Sequence, residues 1–157
     1  MRKTVGIPIT PPQTQTDMVF LNIEQLAQVE VSSESPEHPI EAALIDGHEG
    51  GWQAATPGKQ IIRLHFDQPV TIKHIVLVIE EHEQSRTQEL TFSWLTEGAV
   101  GYQEILRQQF GFSPPNTSKQ RENYQVELNQ LKSLELMIIP DISQGDSIAK
   151  VAMLRLG

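Results

Sequence analysis

Apolar residues in this chain recur at every second position, and that period confines the fold. The stretch QIIRLHF (60–66) sets Ile62, Leu64 and Phe66 on one side and Arg63 and His65 on the other. ELTFSWL (89–95) aligns Leu90, Phe92 and Trp94, YQVEL (124–128) aligns Tyr124, Val126 and Leu128, and SLELMII (133–139) aligns Leu134, Leu136 and Ile138. Side chains alternate faces along a strand, whereas a helical face would repeat every 3.6 residues. VTIKHIVLVIE (70–80) is almost continuously apolar beyond its polar pair, the pattern of a central strand covered on both faces. Its change of face near Lys73 and His74 predicts a bulge. Short strands separated by turn signals imply an all-β fold, a sandwich or a barrel. Helical turns are expected only near 22–28 and 39–44.

The 157 residues suit one domain, and 38% hydrophobic content suffices for one core. Residues 1–18, rich in Pro, Thr and Gln, read as an extended arm, and residues 19–157 as the sandwich domain. Pro8 and Pro11 form a PxxP pattern, which is common by chance. The opening MRKTVGIPIT has no apolar run of a secretion signal, and no stretch is long enough to span a membrane, so the expected location is the cytoplasm. A net charge of −8 disfavours a nucleic-acid partner. With no cysteine, thiolate catalysis, disulfides and iron–sulfur clusters are excluded.

Connections sort by length. The segments 67–69, 97–101 and 129–132 look like tight turns, and 46–59, 81–88, 111–123 and 140–147 like long polar loops. If successive strands are antiparallel, the long loops gather at one end of the sandwich, where such folds carry binding residues. The polar residues on them, His48, His82, Arg86, Asn116, Lys119, Arg121 and Asp141, form the candidate ligand-binding set. The loop at 111–123 is expected to be the most mobile.

Several chemistries fail on pattern. LIDGHEGGWQAATPG (44–58) has neither GxGxxG nor a P-loop, and it leads into a strand, not a helix. Gly47 follows Asp46 directly, which breaks an EF-hand loop. Asp46, Gly47 and Trp52 are therefore read as structural, a turn closing on a core tryptophan. His38, His48, His65, His74 and His82 fall in no HExxH or HxH spacing. EEHE (80–83) reads as a solvated acidic run, and no serine occupies a GxSxG elbow. No catalytic residue, metal ligand or cofactor is assigned, and the chain is read as a non-enzyme.

As an ordered set, the residues resemble discoidin-like domains, also called factor V/VIII type C or galactose-binding-like domains. The resemblance rests on Ser32-Ser33, the run Leu44 to Gly47, Trp52, the strand 61–66, the Pro69-x-x-Ile72 turn and the closing SIAKVAMLRLG. It covers about residues 27–157. Within that family, Ser32-Ser33, His38, Glu41, Leu44, Trp52, Ala54-Ala55, Gly58 and FGFSPPNTSKQREN are similar to the amino-terminal domain of the X-ray repair cross-complementing scaffold protein. HPIE and IDG are also similar to the small intraflagellar-transport subunit of this fold. The resemblance implies an all-β, antiparallel β-sandwich, a jelly roll of the galactose-binding-domain kind, acting as a non-catalytic binding module. A protein partner is the leading expectation, a glycan the alternative, and DNA-end contact the third. Many relatives hold a structural calcium with the D-G aspartate and a last-strand glutamate. Here Lys150 is expected at that glutamate position, free to pair with Asp46 in place of a metal.

Overall fold

The computed structural model describes Lys3, Val5 and residues 19–157. The PxxP and most of the 1–18 arm lie outside the described residues. Among these residues two helical turns, α1 (Ile23–Leu26) and α2 (Glu41–Leu44), accompany eight strands. The strands are β1 (Ala27–Val31), β2 (Trp52–Gln53), β3 (Gln60–Glu80), β4 (Arg86–Thr96), β5 (Gln103–Phe112), β6 (Lys119–Ile139), β7 (Lys150–Val151) and β8 (Met153–Leu156). Asn22 caps α1, its side-chain oxygen accepting from the Gln25 amide. Both helical turns fall where the sequence placed them.

The architecture is an all-β antiparallel sandwich, and β3 and β6 build both of its layers. Their ladder runs from Gln60 opposite Ile138 to Glu80 opposite Lys119, with register shifts between His65 and His74. Gln130, at φ 58°, marks the bend in β6. On one side of the bend, β1, β3, β6, β4 and β5 lie side by side in that order. On the other side, β8 and β6 flank β3. The layers meet through side chains: Phe92 of β4 packs edge-on to Tyr124 of β6, with ring centroids 5.8 Å apart. The core unites Ile62, Leu64, Phe66, Leu90, Phe92, Leu134, Leu136 and Ile138 with Ile75, Leu77, Ile79, Leu154 and Leu156.

Two expected turns are corrected. Residues 67–69 and 129–132 do not reverse the chain; they lie inside β3 and β6 as the bends that carry each strand from one layer to the other. A bulge spends an unpaired residue to turn a strand, so Gly, Pro and Asn suit it as well as they suit a hairpin. Only 97–101 returns the chain directly, from β4 into β5. The expected irregularity near Lys73 and His74 is present, as part of a longer disturbance from His65 onward. Val76 and Val78 on the second face of β3 are buried too, as the continuous apolar run implied.

The bend leaves the expected convergence intact. The Glu81 amide donates to the Ser118 carbonyl, Ile142 to Thr87, and Gly58 to Ser147. The segments 46–59, 81–85, 113–118 and 140–147 therefore crowd together at one end. The loop expected at 111–123 is shorter than that, because β5 runs to Phe112 and β6 begins at Lys119.

Candidate functional site

The loop end rests on a polar floor. The Arg86 side chain is wholly buried, its Nε donating to Glu81 Oε1 at 2.8 Å. Its Nη1 donates to Gln88 Oε1 at 3.2 Å and to the Pro140 carbonyl at 2.7 Å. The guanidinium lies over the Phe112 ring, 4.7 Å from the centroid. Gln88 in turn donates to Gln120, both buried. Glu81 Oε2 accepts from the amides of Glu83 and Gln84 and from Lys150 Nζ at 3.3 Å. Burial pushes the Glu81 carboxyl up, but the Arg86 hydrogen bond, the Glu83 amide and the Lys150 charge outweigh it and hold the group below its ordinary value.

Glu81 is thus 2% exposed, not part of a solvated acidic run. What the run collects is the protein's own Arg86 and Lys150. That also corrects the expected partner of Asp46. Lys150 is engaged by Glu81, and Arg155 of β8 takes the aspartate, at 3.0 Å from Nη2 and 3.2 Å from Nε to the same oxygen. Arg155 further donates to the carbonyls of Ala43 and Leu154, tying α2 to β8.

The D-G loop braces the fold. Trp52 is fully buried and its Nε1 donates to the Ser33 carbonyl, as β2 pairs with β7. A Cβ on Gly51 would stand 2.5 Å from the Val151 carbonyl oxygen and 2.8 Å from Ala152 Cα, so only glycine lets this backbone approach β7. Ser32 and Ser33 hydroxyls both donate to Gln60 Oε1, while Ser33 Oγ accepts from the Ala55 amide. The residues that carry the resemblance are braces.

Above the floor lies a groove of about 440 Å³, lined by Ser85, Arg86, Thr87, Phe112, Asp141 and Ser143, with Ile142 45% exposed on its rim. Arg86 Nη2 is buried beneath the groove, with no hydrogen-bond partner among the described residues. Asp141 accepts from the hydroxyl and amide of Ser143, which hold its carboxyl below the ordinary range. Of the candidate set, the structure brings Arg86 and Asp141 together here, with Arg86 embedded in the wall instead of projecting from a loop. His82 lines a separate cleft with Glu80 and Lys150. Asn116 is exposed on the 113–118 loop and His48 on the D-G loop. Lys119 and Arg121 belong to β6, not to a loop, and Lys119 sits 3.8 Å from Glu80. Trp94 is half-buried against the core. Among the described residues no three His, Asp or Glu side chains are placed to hold a metal ion, and no helix is long and apolar enough to cross a membrane.

Comparison with solved structures supports this architecture. A pectin-binding carbohydrate-binding module matches with a TM-score of 0.57 at 16% identity, over 85% of this chain and 91% of that one. The family 32 carbohydrate-binding module of C. perfringens NanJ, in complex with galactose, matches at 0.59 and 12% identity, over 83% and 92% of the two chains. An F5/8 type C domain from Bacteroides fragilis matches at 0.58 and 15%, over 87% and 93%. A Ruminococcus gnavus fucosidase in complex with fucose matches at 0.60 and 9% identity, over 87% of this chain and 26% of that one. No family model and no curated protein matches the sequence. At these identities the likeness establishes the discoidin-like fold.

Proposed function

We propose that this chain is a non-catalytic binding module whose loop end takes a neutral sugar. One observation carries the reading: the groove sets the Asp141 carboxylate and Ser143 beside the exposed side chain of Ile142, over the buried Arg86. A sugar hydroxyl donates to a carboxylate, and the C–H face of the ring covers an apolar side chain. The likeness to modules named for pectin and galactose binding supports the same choice. It moves the glycan ahead of the protein partner that the repair-scaffold resemblance favoured.

Charge narrows the ligand. Glu81 already neutralises Arg86, Asp141 is ionised, and the chain carries −8. An anionic uronate would meet like charge in this groove. Neutral hexoses are therefore expected to bind better than oligogalacturonate. A glycan array followed by titration calorimetry tests this. Asp141→Ala should weaken the best neutral ligand about tenfold, the loss of one hydrogen bond to a charged group. A folded protein that binds no array member removes the reading. Preference for the uronate, or an Asp141→Ala variant that binds as the parent does, removes the assignment of the groove.

A protein partner is kept as a second reading on one observation: β1 leaves an apolar flank of the sandwich open.

A further inference from the structure

Among the described residues β1 is an edge strand, bonded to β3 on one side only. Its residues Ala27, Val29 and Val31 stand opposite Phe66, Leu64 and Ile62, so they share the face that looks into the sandwich. The facing layer, β8, β3 and β6, is narrower and does not reach over β1. The turns α1 and α2 cover the gap only in part. What remains is a groove of about 240 Å³ walled by Ala27, Val29, Ile40 and Ile45, with Glu24 and Glu41 on its rim. Leu26 and Val29 are 37% and 36% exposed beside it.

Edge strands are normally protected by a lysine, a proline, a bulge or a covering segment. β1 reads Ala-Gln-Val-Glu-Val and carries no lysine or proline, and its pairing with β3 is regular. Its one charge, Glu30, is turned to the outer face, where it meets His65 and Arg63. The rim carboxylates Glu24 and Glu41 are exposed and form no ion pair among the described residues. An apolar slot beside an unpaired backbone edge, with carboxylates on the rim, specifies its occupant.

We propose that the β1 edge docks an extended segment of a partner protein, added as a further strand. The segment would set apolar side chains into the groove at every second position and carry Lys or Arg at its ends to meet Glu24 and Glu41. Backbone hydrogen bonds to β1 supply affinity, and the alternate side chains and end charges supply selectivity. This proposal rests on the second reading. It uses none of the residues of the sugar groove, so either can fail without the other.

The probe is the capped peptide Lys-Val-Thr-Val-Thr-Val-Lys, with a control carrying Glu in place of both lysines, titrated against the full chain by fluorescence anisotropy at low salt. Amide hydrogen exchange locates the contact. The lysine peptide should bind at least about tenfold more tightly than the control, and raised salt should narrow the gap. Exchange should slow at the outward amides of β1. Val29→Lys should abolish binding while leaving the thermal midpoint close to the parent's, because the site is exposed. The double variant Glu24→Lys, Glu41→Lys should reverse the preference between peptides. Equal binding of both peptides, protection elsewhere, or binding that survives Val29→Lys would overturn the proposal. So would outward β1 amides already protected in the isolated chain, or protection that grows with protein concentration, since the edge would then be covered by the chain itself or by a second copy.

Discussion

One arginine–carboxylate pair lies under the loop end and another holds the D-G loop, and they differ in where they sit. Arg86–Glu81 has side chains 0% and 2% exposed, while in Arg155–Asp46 the arginine is 10% exposed and the aspartate 96%. Both are close contacts with additional hydrogen bonds to carbonyls. Their energetics should nonetheless diverge. Removing one partner of a buried pair strands the other charge away from water, whereas an exposed carboxylate is solvated with or without its arginine. The loop end is thus built on a charge pair that cannot be halved. The D-G loop is held by one whose aspartate is dispensable.

The sharpest test is Glu81→Gln. It keeps shape but leaves Arg86 and Lys150 facing a neutral amide. We expect a loss of about 3–5 kcal/mol in urea unfolding, the range for halving a buried pair. A loss under about 1 kcal/mol would mean that water or rearrangement solvates Arg86, and the contrast between the two pairs would collapse. Acid provides an independent reading. The folded Glu81 carboxyl lies below its unfolded value, so its contribution is complete above the unfolded carboxylate pKa of about 4.3 and is lost as pH falls through the folded value. The stability gap between parent and Glu81→Gln should therefore narrow below about pH 4. A gap that stays constant into acid would detach the effect from ionisation.

A smaller effect is expected at Arg155→Met. The guanidinium stem is buried and its Nη1 satisfies the carbonyls of Ala43 and Leu154. Methionine fills the stem's volume and leaves Ala43 without its donor, a loss of about 1–3 kcal/mol. The cost should appear as faster amide exchange in α2, which this bond ties to β8. If α2 is unaffected, the arginine acts through Asp46 and not through the carbonyl.

The contrast also marks what a sequence can reveal. The alternation of Ile62, Leu64 and Phe66 was legible because burial on a strand is a local pattern, and the structure buries all three. Trp52 and its glycines were legible as a brace because tight turns leave a local signature. The bends at 67–69 and 129–132 were not, since Asp-Gln-Pro suits a hairpin and a bulged strand equally, and only the partner strand decides. Nor was the fate of Glu81, which Lys150 and the Ser118 carbonyl meet from distant parts of the chain. The candidate set therefore read Arg86 as a loop residue and missed Glu81, which fixes it in place. Lys150 and Arg155 were exchanged for a similar reason. Both are cations on the closing segment, Lys150 in β7 and Arg155 in β8, and each meets its carboxylate only through the tertiary fold.

The least effect should come from Asp46→Asn, and it decides how the D-G loop is held. The asparagine keeps an oxygen for Arg155 and loses only charge. With the carboxylate 96% exposed, water screens the attraction, so the shift should be under about a quarter of that at Glu81. The same geometry predicts the response to calcium. A calcium ion takes about six to eight oxygen ligands, and both contacts from Arg155 to Asp46 converge on one carboxylate oxygen, which would have to give up a guanidinium to receive the metal. Millimolar calcium should accordingly leave the parent's melting midpoint where it is. Removing the competing cation is the way to press the point. In Arg155→Met the aspartate is released, and if the loop retains a latent metal site, calcium should now raise the midpoint reversibly, because a ligand that binds only the folded state stabilises it. A calcium-dependent rise already present in the parent would show that the guanidinium does not occupy the metal's place, and the account of Arg155 as the loop's own cation would have to be abandoned.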